Sequence, residues 1–227
     1  MTTIAATLQA VHDRIARASQ AAGRHADQVK LIAVSKTVPA ERIGEAYRCG
    51  QRTFGESYVQ EALAKIATLR DLPLEWHYIG PIQSNKTRAI AEHFHWVHSI
   101  DRVKIAERLA AARPPDMPPL DVCIQINVSG EATKGGVPPG EELALARAIA
   151  ALPRLRLRGL MAIPEPTDDV SVQRDRYAAV RQARDALVAA GFPLDTLSMG
   201  MSDDLEAAVA EGATLVRVGT AIFGVRK

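Results

Sequence analysis

The sequence predicts a (β/α)8 barrel carrying one additional helix at its N-terminus, and three observations predict it. Short apolar runs rich in β-branched residues alternate with amphipathic stretches along the whole chain, the pattern of parallel βαβ units. About eight such units fit into 227 residues, near the lower end of what a closed barrel needs. No low-complexity stretch or long linker interrupts the alternation, so residues 1–227 read as one domain. The runner-up is an open doubly wound sheet, built from the same units.

Each element has a local reason. Ile4, Leu8, Val11 and Ile15 share one helical stripe, which predicts the leading amphipathic helix. VKLIAVSK is a buried strand ending at Ser35 and Lys36, and Pro39 suits the first position of the helix AERIGEAYRCG. Thr53 and Phe54 form a short strand, and Ser57 with Gln60 predicts a capping box before a helix whose face carries Val59, Leu63 and Ile66. EWHYIG, HWVHSI, LDVCIQINVS and LRLRGLMAI read as strands. The helices NKTRAIAEH, DRVKIAERLAAA and EELALARAIAAL fall between them, the second stopped by Pro114 and Pro115. A long helix over roughly 170–190 follows, with Tyr177, Val180, Ala183 and Leu187 on one stripe. Thr196–Leu197, the helix SDDLEAAVAEG and the strand TLVRVG complete the series.

Composition narrows the function classes. The chain has 28 basic and 26 acidic residues, too small a surplus for a nucleic-acid binder held by a dense basic face. Aromatics are 4%, which leaves few rings for stacking bases. Cys49 and Cys123 form no CxxC pair, which excludes a disulfide framework and fits a reducing cytosol. Asp13 and Arg14 interrupt any signal-peptide core, and no window approaches the roughly 18 apolar residues of a membrane span. A soluble, cytoplasmic protein is expected.

In a barrel of this kind the active face lies at the carboxyl ends of the strands, with a phosphate site in the loops after strands 7 and 8. Those loops read LSMGMSDD and VRVGTAIFG. Gly200 permits close backbone approach, Ser202 suits an N-cap, and Gly219 and Thr220 offer two amides and a hydroxyl. A phosphate cradle and plain turn glycines with a cap are both open readings. Lys36 ends the first strand, where lost solvation favours a neutral, nucleophilic amine, or where it snorkels to water. Arg217 lies between Val216 and Val218, a costly charge unless it faces a ligand or partner at the barrel top. A lysine, an arginine and a phosphate cradle on one face are what pyridoxal phosphate requires.

The motifs AVSKTVP, FGESYVQEA, WHYIGPIQSNK, SIDR, QINVSGEATKGGV, GLMAI and LSMGMSDDLEAAVAEGATLVRVGTAIFG carry a resemblance over almost the whole chain. In these the chain resembles the pyridoxal phosphate homeostasis proteins, whose fold is similar to the N-terminal barrel of alanine racemase. The resemblance implies that Lys36 is the Schiff-base lysine. It places Ser202, Gly219 and Thr220 at the phosphate and Arg217 opposite the pyridine nitrogen. Ser57 departs from the family, which usually has Asn there near the ring hydroxyl, and Pro81 stands where His is common. Lys134 matches a loop lysine that offers the family a secondary place for the cofactor; a solvated loop lysine is the equal alternative.

Other residues read more plainly. His93, His95 and His98 form HxHxxH without a carboxylate in register, and exposed strand-entry histidines are the expectation. His77 suits either the barrel mouth or the core, Cys123 suits the core, and Arg154, Arg156 and Arg158 suit a solvated face. Asp203, Asp204 and Glu206 complement a helix dipole. Two functions remain: a carrier that buffers or delivers pyridoxal phosphate, and an amino-acid racemase of the same fold. In the resembling racemases the second base is a tyrosine from an added all-β domain, and this chain ends at Lys227 just after strand 8. Arg217 would also keep the ring nitrogen unprotonated and the ring a weaker electron sink. Both points predict a carrier, with apoenzymes as candidate partners, and the resemblance implies a monomer.

Overall fold

Leu31–Val34 is an unbroken apolar run, and such a run is stable as a strand only when covered on both faces. It forms most of Lys30–Val34 (β1). The other strands are Thr53–Glu56 (β2), Glu75–Tyr78 (β3), Trp96–Ile100 (β4), Leu120–Gln125 (β5), Leu155–Met161 (β6), Thr196–Ser198 (β7) and Leu215–Val218 (β8). In the computed structural model, which describes residues 3–130 and 135–224, these strands pair in sequence order and close into one parallel barrel. Closure comes from β1 against β8, in a register that sets Ile32 beside Arg217. Gly159 in β6 admits no side chain, because a Cβ there would lie 1.8 Å from the Thr196 carbonyl of β7.

The helices are Ile4–Ala21 (α1), Ala40–Arg48 (α2), Val59–Thr68 (α3), Thr87–His93 (α4), Val103–Ala112 (α5), Glu142–Ala150 (α6), Val170–Ala189 (α7), Leu205–Ala210 (α8) and Thr220–Phe223 (α9). Ile4, Leu8, Val11 and Ile15 are all buried beneath α1, each contributing about 1.5–3 kcal/mol of transfer from water. Through that face α1 packs on α8, α9 and α2, bridging the first and last units of the barrel. Among the described residues no helix is long and apolar enough to cross a membrane.

Three cap expectations shift. Pro39 is the N-cap of α2 rather than its first residue. Tyr58, without a side-chain cap, precedes α3, so Ser57 and Gln60 form no capping box. Asp204, not Ser202, is the N-cap of α8. Asp204 accepts the Met201 amide at 2.6 Å within the turn and the Tyr177 hydroxyl of α7 at 2.7 Å, one local and one tertiary bond that set the start of α8 past Ser202.

Two cores result. The larger lies between strands and helices; the smaller, Ile32, Trp96, Cys123, Met161 and Leu215, fills the barrel itself. His77 stacks on Trp96 at 5.4 Å and is therefore inside as well. The amino-end mouth is closed by ion pairs: Lys30 with Glu75, Asp121 with Arg156 and Arg158, and Arg158 with Asp195 at 2.6 Å. Arg156 is exposed as expected, though ion-paired, whereas Arg158 is half-buried and lies over Trp96 at 4.9 Å. Arg154 donates to the carbonyls of Pro114 and Met117.

Candidate functional site

At the carboxyl ends of the strands lies a cavity of about 510 Å³, within the size range of small-ligand pockets. Lys36, Ser202, Arg217, Gly219 and Thr220 all line it, together with Ser57. Residues from β1, β8 and their following loops therefore meet, as the strand-end argument expects. Lys134 lies outside the described residues. Val34, Ile79, Ile163 and Met201 supply apolar wall, and Arg14 reaches the rim from α1.

Lys36 sits in the turn Ser35–Lys36–Thr37 that follows β1. Thr37 has φ +62°, the non-glycine positive value among the described residues. A β-branched residue there costs on the order of 1–3 kcal/mol and must be held. The holding group is Lys65 of α3, 6% exposed. Its ammonium donates to the Ser35 carbonyl at 2.7 Å, to Glu56 Oε1 at 2.8 Å and to Glu61. Glu61 Oε1 in turn accepts the Thr37 amide at 2.5 Å, and Ser35 Oγ donates to Glu56 Oε1 at 2.6 Å. Glu56 is 0% exposed, and its Oε2 has no partner among the described residues. Burial pushes its carboxyl above the usual range, against the opposing pull of Lys65 and Ser35.

Arg217 is 3% exposed. Its Nη1 donates to Ser198 O at 2.6 Å and Ser198 Oγ at 2.7 Å, and its Nη2 to Ala162 O at 2.8 Å. All of these acceptors are neutral. Burial pulls the guanidinium below its ordinary value; Tyr177, Asp204 and Cys123 act the other way. A buried cation held only by neutral oxygens is suited to face an anionic or acceptor-rich ligand.

In the loop after β8, Gly219 is the N-cap of α9, and its carbonyl accepts from Ile222 and Phe223, both at 2.9 Å. The amides of Thr220 and Ala221 precede those intrahelical bonds, and both residues line the cavity. Gly200 has φ +94°, and a Cβ there would lie 2.5 Å from Ala208 Cβ. Glycine is required for the chain to turn back over α8. Arg14 Nη2 donates to Ser202 O at 3.1 Å and pairs with Glu206 at 2.8 Å, tying α1 to this loop.

Known proteins resemble this chain along nearly its whole length. The family model described as "Alanine racemase, N-terminal domain" matches residues 7–227. A pyridoxal phosphate homeostasis protein of Pseudomonas aeruginosa is 61% identical over 100% of this chain and 97% of its own. The Escherichia coli protein of that name is 53% identical over 100% and 98%. The chain belongs to the pyridoxal phosphate homeostasis protein family. PipY of Synechococcus elongatus, a structure with PLP bound, is 39% identical with a TM-score of 0.85, over 98% of this chain and 100% of that one. Alanine racemase from Corynebacterium glutamicum shares the fold, at 21% identity and a TM-score of 0.71 over 96% of this chain and 62% of that one.

Several residues of the site escape sequence reasoning. Lys65 and Glu61 leave only an (i,i+4) pair as a signal, and Arg14 leaves none. The histidines separate: His93 ends α4 and bonds the Ala89 carbonyl, and His95 is exposed and bonds the Trp76 amide. His98 is 0% exposed within the barrel, not an exposed strand-entry residue. His77 is equally buried, and Cys123 is a core residue as expected.

Proposed function

We propose that this chain binds pyridoxal 5'-phosphate as a Schiff base on Lys36 and takes part in its intracellular homeostasis by buffering or delivery. The observation that carries the reading is the convergence of Lys36, Arg217 and the Gly219–Thr220 amides on one cavity. The relatives' shared name and the PLP-bound PipY structure support it. Pyridoxal phosphate supplies an aldehyde for the lysine, a dianion and a pyridine nitrogen. Ser202, Gly219 and Thr220 would hold the dianion, and Arg217 would face the nitrogen with its permanent positive charge. The Lys65 clamp keeps Lys36 at the mouth, and the apolar wall of Val34, Ile79 and Ile163 limits water around the amine.

A single domain over residues 1–227, monomeric and cytoplasmic, with apoenzymes as recipients, completes the proposal. Racemase chemistry is the less favoured reading, because among the described residues no tyrosine lines the cavity. Tyr78 Oη is committed to the Pro81 carbonyl at 3.0 Å, and Tyr177 to Asp204. The test is an absorbance spectrum of the loaded protein, then borohydride reduction and peptide mapping. The pyridoxyl adduct is expected in the VSKTVP peptide on Lys36; an adduct only on Lys134 or scattered lysines overturns the assignment.

A further inference from the structure

Through the middle of the barrel runs a line of polar side chains that ligand binding does not use directly. At its cavity end Arg217 Nη1 donates to Ser198 Oγ at 2.7 Å. Ser198 Oγ lies 2.7 Å from His98 Nδ1, and His98 Nε2 lies 2.8 Å from His77 Nδ1. His77 Nε2 faces Glu75 Oε1 at 3.3 Å, a long contact off the hydrogen-bond line. Glu75 pairs with Lys30 at the opposite mouth through its other oxygen. Ser198, His98 and His77 are each 0% exposed, so their protons must be shared among the members of the line.

The two ends set its direction. Arg217 can only donate, so Ser198 Oγ accepts from it and gives its own proton to His98 Nδ1. His98 then carries its proton on Nε2 and donates to His77 Nδ1. His77 likewise carries its proton on Nε2, aimed at the Glu75 carboxylate. The reverse order would point two donors at Ser198 Oγ and leave its hydroxyl proton without an acceptor. It would also set a bare His77 lone pair against a carboxylate. Burial depresses both imidazoles; Lys30 and His95 oppose charge on His77 against the pull of Glu75, and His77 and Arg217 oppose charge on His98. Both shifts favour the uncharged ring.

We propose that this line is one polarised hydrogen-bond chain that holds Arg217 from behind, making Ser198, His98 and His77 positioning residues for the cation that faces the ligand ring. The ligand half of this inference rests on the reading of Lys36 above; the chain itself does not.

The wild-type protein without ligand tests the chain. With nitrogen-labelled histidine, long-range proton–nitrogen spectra should give both rings protonated on Nε2 and bare on Nδ1, unchanged from about pH 6 to about pH 9. A proton on Nδ1 of either ring, or a charged ring, overturns the polarity. In ligand-free Ser198→Ala, the Arg217 guanidinium protons should exchange with water faster than in wild type; equal exchange overturns the holding role. In the protein loaded with pyridoxal phosphate, the same variant should shift the absorption maximum and release the cofactor about tenfold faster. An unchanged spectrum and release rate, with the expected tautomers, overturns the coupling to the ligand. Failure of any adduct to form on Lys36 counts against the site reading, while the tautomers and guanidinium exchange still decide the chain.

Discussion

Replacing Lys65 by Met removes the charge that neutralises Glu56 while keeping the apolar stem of the side chain. In the native fold the Lys65 side chain is 7% exposed and Glu56 0%, with Nζ 2.8 Å from Oε1. Breaking a buried pair from one side costs about 3–5 kcal/mol, because the remaining charge is left uncompensated. In a chain of this size each kcal/mol moves Tm by about 2–4 °C, so the ligand-free variant should melt on the order of 10 °C lower near pH 7. The sign with pH follows from Glu56. Burial already raises its folded pKa above the ordinary value, and loss of Lys65 raises it further. The folded state then binds the proton more tightly than the unfolded one. Its stability is greatest below the unfolded pKa and falls as pH rises through the folded value. The Tm deficit should therefore shrink as pH is lowered from about 7 towards about 5. Adding Glu56→Gln to Lys65→Met removes the orphaned charge and should recover at least half of the loss. Calorimetry on the three proteins gives the answer. A Lys65→Met protein as stable as wild type would refute the clamp, and a deficit flat with pH would refute the buried carboxylate as its source.

The remaining predictions concern the cavity. Ser202 is half-buried and Thr220 exposed, so Ser202→Ala with Thr220→Ala should leave the ligand-free Tm unchanged yet release pyridoxal phosphate about tenfold faster; equal retention by stopped-flow transfer to an acceptor enzyme would remove both from the phosphate site. With no tyrosine lining the cavity, a proton taken from an amino acid by Lys36 should return from the same side. In heavy water the α-hydrogen should exchange slowly with configuration retained, and inversion on the order of 1 per second or faster would point to a second base.

The barrel was legible because its signal is repeated: eight apolar runs separated by amphipathic stretches leave few packings. Lys36 and Arg217 were legible for a related reason, since each is a charge set in or directly after an otherwise apolar strand. The interior polar line was not. WVHSI is buried along its whole length, so periodicity alone cannot say that His98 faces the barrel and Val97 the helices. Only the register against β3 and β5 does. The caps failed for the opposite reason. Ser57 and Ser202 satisfy a local rule, but Asp204 accepts the Met201 amide within the turn and also the Tyr177 hydroxyl from α7, a partner no local rule supplies. Arg14 lies on the polar side of α1, and only the docking of α1 on α8 brings it to the rim.

Lys36 and Arg217 at the mouth are each backed by a group of polar side chains that does not line the cavity. Behind Lys36 stand Lys65, Glu56 and Glu61 in the layer between strands and helices. Behind Arg217 stand Ser198, His98 and His77 within the barrel. Apolar residues at those positions would pack well, yet could not fix a lysine turn with φ +62° at Thr37 or supply acceptors to a guanidinium inside the fold. Lys65 and Glu56 in one group, and Ser198, His98 and His77 in the other, are buried, so each group has one low-energy arrangement and transmits it to the residue in front. Substitutions well away from the ligand should therefore act on its retention. The Lys65 and Ser198 variants should do so through different residues, with effects that add, because the two groups share no hydrogen-bond partner.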